Sequence, residues 1–274
     1  MEYTYLNDTL EVANTISKRV PLDQILFKQV VGSRFFETFN ASSDYDLKVV
    51  TIPKKEFFMP NTQMVILGFD NVKYLNSDQY NSVEKDICTI KTADGSTTKC
   101  EIFYCDIPLH FRMIVEGAYF VLVNTFIQNE KTYFFNHPSY MKYEKVIRES
   151  IPKIAYARSL HNLSRDIHDL MKILSNQRIS TNKIKIKRAG QYALVANTIM
   201  LRSLQDHGVD YSIFRDENTP LEVVQATCLN LLNSIQVYLS NFNVGDIASE
   251  TGVYKRTVAL MLNDIYSENV FTII

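Results

Sequence analysis

The sequence predicts an α+β fold, with strands and flanking helices over residues 1–135 and an all-helical domain over residues 136–274. Three observations carry that prediction. Two mostly apolar runs, Ile25 to Val31 and Leu47 to Ile52, enclose a Gly32-Ser33 turn and an Asp44-Tyr45-Asp46 triplet, the pattern of buried strands interrupted at a glycine. Asp94-Gly95 separates two β-prone arms, Ser82 to Thr92 and Thr97 to Ile107, which is a hairpin signal. From Tyr140 onward apolar residues recur almost everywhere at helical spacing.

Composition bounds the possibilities. The chain has 274 residues, enough for one large domain or two modest ones. Its 46% hydrophobic and 22% charged content is that of ordinary globular proteins. A net charge of −1 excludes a global positive field, so any contact with nucleic acid rests on a local patch. No apolar run approaches the roughly 18 residues of a membrane span, and no membrane partner is expected. The opening MEYTYLNDTLEV is acidic and polar, unlike a signal peptide. Cys88, Cys100, Cys105 and Cys228 contain no C-x-x-C pair. They read as free buried thiols in a reducing compartment, and a cytoplasmic location is expected.

Leu10, Val12, Ala13 and Ile16 fall at helical spacing, predicting a helix over Asp8 to Arg19 with Asp8 or Thr9 as cap. The strand Ile25 to Val31 follows. On the next strand successive side chains alternate faces, which puts Asp44 and Asp46 together and Tyr45, Leu47 and Val49 opposite. Two adjacent carboxylates repel and call for a cation. Hard oxygen ligands suit Mg²⁺ (or Mn²⁺), which keeps waters and completes its shell with substrate phosphates. Gly32 permits close backbone approach, the N–H groups after it can face an anion, and Ser33 adds a hydroxyl.

The strings GSR at Gly32 to Arg34, SDYDLK at Ser43 to Lys48, with ten residues between Ser33 and Asp44, and IPKKEFF at Ile52 to Phe58 resemble the signature of the DNA polymerase β superfamily of nucleotidyltransferases. They are most similar to the RNA-ligase-associated and phage-type nucleotidyltransferases. The resemblance covers residues 25–60 well and the rest loosely. Glu37 stands where that family often has glycine. The resemblance implies a polymerase-β-like mixed sheet, Asp44 and Asp46 as metal ligands, and Gly32 and Ser33 as the phosphate cradle. It also implies a third carboxylate on a later strand. Glu101, between Cys100 and Ile102, is the candidate, as catalytic residue and metal ligand; Asp86 and Asp106 are its rivals. The family often has aspartate near the position of Cys100.

Met64 to Leu67 is a short apolar run before Gly68, a strand or a buried helix start. Pro108 to Glu116 suits a helix with Pro108 at its first position. Tyr133, Phe134, Phe135, Tyr140 and Tyr143 crowd around His137-Pro138; they form either a packed seam or a platform that stacks a base. Pro152 to Leu174 carries a helical stripe, with His161 and His168 near one face. Lys183, Lys185, Lys187 and Arg188 alternate with Ile184 and Ile186, either a solvated rim or a phosphate-facing one in which Lys185 and Lys187 bind nucleotide. In that region the family's His-x-x-Arg pattern is half present, since Ile199 precedes Arg202. Gln191 to Gln205 and Pro220 to Leu239 read as helices, the second with Thr219 as cap and Pro220 at its first position. Asp246 to Met261 resembles a helix-turn-helix, with Ala248 at the helix contact, Gly252 at the turn, and Val253, Val258 and Met261 inward. Lys255 and Arg256 are its bases, against Asp246, Glu250 and Asp264.

These readings converge on metal-dependent transfer of a nucleoside monophosphate from an NTP to an acceptor hydroxyl, with Arg34 and Lys48 neutralising phosphate charge. RNA, a tRNA or a broken RNA end, is the acceptor implied by the resemblance. The alternatives are a nucleic-acid-binding regulator using the C-terminal segment, and an inactive nucleotidyltransferase scaffold that binds protein. The sequence leaves the base, the acceptor and the oligomeric state open.

Overall fold

The computed structural model describes residues 25–36, 39, 43–52, 85–91, 97–126, 133–175, 179–202, 213, 219–243 and 245–268. The helix expected over Asp8 to Arg19, the Met64 to Leu67 run, Glu37 and the Asp94-Gly95 turn lie outside these residues.

The fold is α+β. β1 (Ile25–Val31), β2 (Tyr45–Thr51), β3 (Lys85–Lys91), β4 (Thr97–Asp106) and β5 (Tyr133–Asn136) form one sheet in the order β3-β4-β2-β1-β5. The sheet is mixed: β1 runs antiparallel to β2 and β5, β3 antiparallel to β4, and β2 parallel to β4. The central strands bury side chains on both faces, Lys28, Gln29 and Lys48 among them. Ile25, Leu26, Phe27, Val49, Val50 and Ile102 are almost fully buried, as near-continuous hydrophobic runs require. A short helical turn, α1 (Gly32–Phe35), follows β1 directly.

Among the described residues the remaining elements are helical: α2 (Ile107–Val115), α3 (Tyr119–Phe126), α4 (Pro138–Glu149), α5 (Lys153–Ser175), α6 (Ile179–Arg202), α7 (Leu221–Asn241) and α8 (Ile247–Glu268). The chain divides into two compact units, one of residues 1–112, 128–150 and 255–274, the other of 113–127 and 151–254. In the first, Phe27 packs against His110 and Tyr140, ring centroids 5.2 and 5.0 Å apart. Tyr140 thus belongs to the core rather than to a base-stacking platform. At the start of α4 Pro138 occupies the first turn and His137 Nδ1 accepts from the Ser139 N–H.

In the second unit α5 buries Ala155, Leu160, Leu163, Ile167, Leu170 and Leu174, a stripe at i, i+3 and i+4. His161 and His168 are exposed on it. Tyr119 of α3 donates to Asp166 of α5, tying those helices through a buried phenol. α6 begins at Ile179, well before Gln191, so the Lys–Ile alternation is helical and Ile186 is buried. Thr219 does not cap α7. Its hydroxyl donates to the Ile213 carbonyl at 2.6 Å, and Pro220 itself holds the cap position. Val223 is exposed, whereas Val224, Cys228, Leu231, Leu232, Ile235 and Tyr238 form the buried stripe.

The helix-turn-helix expected over Asp246 to Met261 is corrected by the structure. α8 is one continuous helix, with Gly252 inside it. Ala248 and Val253 are exposed, while Tyr254, Val258, Met261, Leu262 and Ile265 are buried. A glycine in a helix interior costs about 1 kcal/mol, less than that apolar stripe returns on burial. Cys100, Cys105 and Cys228 are buried free thiols. No helix among the described residues is long and apolar enough to cross a membrane.

Candidate functional site

The site forms where β2 begins, beside the turn that ends β1. β2 and β4 are parallel neighbours, and their register sets Asp46 against Glu101. Parallel partners in register present side chains on the same face, about 4.8 Å apart. Asp44 lies two residues before Asp46, just ahead of the strand. Each of Asp44, Asp46 and Glu101 offers one carboxylate oxygen, and these oxygens lie within 4.8 Å of one another; all three residues are half-buried. The rival positions lie elsewhere in the register. Asp86 pairs with Ile102 and Asp106 with Thr51.

Gly32 explains how the cluster fits against the turn. Val31 is the register partner of Asp46, so the next residue passes close to the Asp46 carboxylate. Gly32 has φ 66°, and a Cβ there would stand 2.0 Å from Asp46 Oδ2 and 2.8 Å from its Cγ. Glycine is required twice, for the left-handed backbone and for the space. Close approach was the expected property of this residue; in the structure the approaching group is the carboxylate. Ser33 follows in α1, half-buried.

Arg34 is anchored to the protein itself. Its Nε donates to the Asp44 carbonyl at 3.1 Å and its Nη2 to the Ser43 carbonyl at 2.8 Å. The guanidinium lies 3.6 Å from the Tyr45 ring centroid, a cation–π contact. The planar fork thereby fixes the segment that delivers Asp44 to the cluster.

Lys48 lies two residues beyond Asp46 on β2, so alternation puts it on the same face. It is buried, and its Nζ is 2.9 Å from His110 Nδ1 on α2. Burial pulls the Lys48 ammonium down to about 8, against an opposing pull from Cys105. Burial, then the Lys48 charge, pushes His110 well below the usual imidazole range. A protonated Lys48 can only donate, so Nδ1 accepts and the ring proton sits on Nε2, which is buried without a hydrogen-bond partner. Lys185 and Lys187 lie on α6 in the second unit, both half-buried.

Two residues here were not singled out from the sequence. Lys99 donates to Glu101 Oε1. That hydrogen bond first, then the charges of Glu101, Asp44 and Asp46, raises its pKa. Its signal was available, since it stands two positions before Glu101 on one strand. His110 had no such signal, because its pairing with Lys48 spans the sheet and α2.

The residues fit a hard divalent cation: three oxygen donors converge, and the missing Gly32 side chain leaves room for one of them. No family model and no curated protein matches the chain. Among solved structures the chain is similar to a nucleotidyltransferase-like protein from Exiguobacterium sibiricum 255-15, at 9% identity and a TM-score of 0.33, over 94% of this chain and 74% of that one.

Proposed function

We propose that this chain is a metal-dependent nucleotidyltransferase that moves a nucleoside monophosphate from an NTP to an acceptor hydroxyl, with RNA as the acceptor. The observation that carries the reading is the convergence of Asp44 and Asp46, at the start of β2, with Glu101, midway along the parallel strand β4, beside the Gly32-Ser33 turn. These three residues would hold Mg²⁺ or Mn²⁺ through one oxygen each. When bound, such an ion neutralises phosphate charge and acts as a Lewis acid. Ser33 and the backbone N–H groups of the turn bind phosphate oxygens. The acceptor oxygen bonds to the α-phosphorus, the bond from that phosphorus to the bridging oxygen breaks, and pyrophosphate leaves with the electron pair. Glu101 takes the hydroxyl proton as general base. Lys48 supplies fixed positive charge on the face that carries Asp46.

The test is incubation of the chain with each α-labelled NTP, Mg²⁺ and total cellular RNA. Label is expected in RNA with one or more nucleotides. Asp46→Asn, which removes a ligand and no core contact, lowers the rate by about a hundredfold or more. No transfer with any nucleotide rejects the enzymatic reading and favours a scaffold that binds protein. The regulator reading loses its motive with the continuous α8.

A further inference from the structure

Three carboxylates whose oxygens lie within 4.8 Å of one another concentrate negative charge that needs an answer even before any metal arrives. Lys99 supplies one. It sits on β4 two residues before Glu101, on the same face by strand alternation, and its Nζ donates to Glu101 Oε1. The two groups differ in freedom: the Lys99 side chain is 50% exposed, that of Glu101 only 14%. The carboxylate is held while the ammonium, on a flexible four-carbon stem, can leave. A divalent ion and an ammonium also compete for the same carboxylate, because they repel each other and each needs its lone pairs.

We infer that Lys99 is a displaceable internal counter-ion: it neutralises the carboxylate cluster when no divalent cation is bound, and leaves Glu101 when one enters. Its released ammonium then meets the phosphates of the incoming nucleotide, a clause that rests on the proposed nucleotidyl transfer. Entry of the metal thereby prepares the nucleotide's positive contact, and the cluster is spared an uncompensated charge in the meantime.

The test titrates the full chain with Mn²⁺ alone, reading free Mn²⁺ by electron paramagnetic resonance, in the unaltered protein, Lys99→Met and Lys99→Arg. Lys99→Met should bind Mn²⁺ about tenfold more tightly, as expected for removing one unit charge from an exposed neighbour of a divalent ion. Lys99→Arg should match the unaltered protein. At saturating Mn²⁺, Lys99→Met should bind ATP several-fold more weakly. Lys99 is half exposed, so its removal leaves the core intact, and circular dichroism checks this. Equal Mn²⁺ affinity in Lys99→Met overturns the counter-ion role and leaves the metal site standing. Tighter Mn²⁺ with unchanged ATP binding overturns the nucleotide clause alone. Absence of Mn²⁺ binding in all three proteins overturns this inference and the metal site together.

Discussion

Gly32→Ala tests the close fit between the turn and the carboxylate cluster. An L residue held at φ 66° pays about 1–2 kcal/mol. The new methyl would stand 2.0 Å from Asp46 Oδ2 and 3.0 Å from Asp46 Cβ. The β1–β2 ladder fixes the Asp46 backbone, so the carboxylate must rotate off its rotamer, at about 0.5–1.5 kcal/mol. Alanine at a compatible site would instead stabilise by about 0.4–1 kcal/mol through the unfolded chain. The net expectation is a loss of about 1–3 kcal/mol, read from urea unfolding midpoints. A Mn²⁺ titration of the same protein should show affinity reduced at least tenfold, because one of the three ligands has moved. Stability lost with Mn²⁺ affinity retained would refute the claim that Gly32 makes room for a ligand. Stability gained would refute the clash itself.

Arg34→Ala should cost about 2 kcal/mol through its two carbonyl bonds and weaken Mn²⁺ binding, since the Asp44 backbone loses its anchor; Arg34→Lys should recover little of either, and full recovery by lysine would mean that the fork geometry is irrelevant. Lys48→Met should raise stability near pH 7 by about 3 kcal/mol, because the buried ammonium titrates at about 8 in the fold and near 10.5 unfolded. Its burial penalty is whole below pH 8 and fades as pH rises toward 10.5, so the advantage of methionine should shrink between pH 7 and 9.5; a constant difference across that range would show that charge burial is not the cause. The same variant should transfer label to RNA more slowly than the unaltered protein if Lys48 contributes charge to the reaction.

Local signals made the centre of the site legible. An apolar run ended by Gly32 and a second run led by Asp44-Tyr45-Asp46 define two strands and one acidic face by period two alone. Glu101 was legible only as an acid flanked by apolar residues; its position beside Asp46 depends on the β2–β4 register, a long-range pairing that no local spacing encodes. Arg34 and Lys48 read as charge available to phosphates. In the structure one grips the Ser43 and Asp44 carbonyls under the Tyr45 ring, and the other is buried against His110, which the fold brings from α2. The helical half was legible in type and less so in its ends. The Lys–Ile alternation before Arg188 has the period of a strand, yet Ile186, Ala189, Ala193 and Ala196 continue a helical stripe, and burial of that stripe decides the outcome. At Gly252 the same competition favoured a continuous helix over a turn.

The most direct test of the central claim is anomalous diffraction from crystals of the full chain soaked in Mn²⁺. The account predicts a manganese peak bonded at about 2 Å to oxygens of Asp44, Asp46 and Glu101, with Lys99 withdrawn from Glu101. A manganese peak elsewhere with these three carboxylates empty, or Lys99 still bonded to Glu101 beside a bound ion, would contradict it.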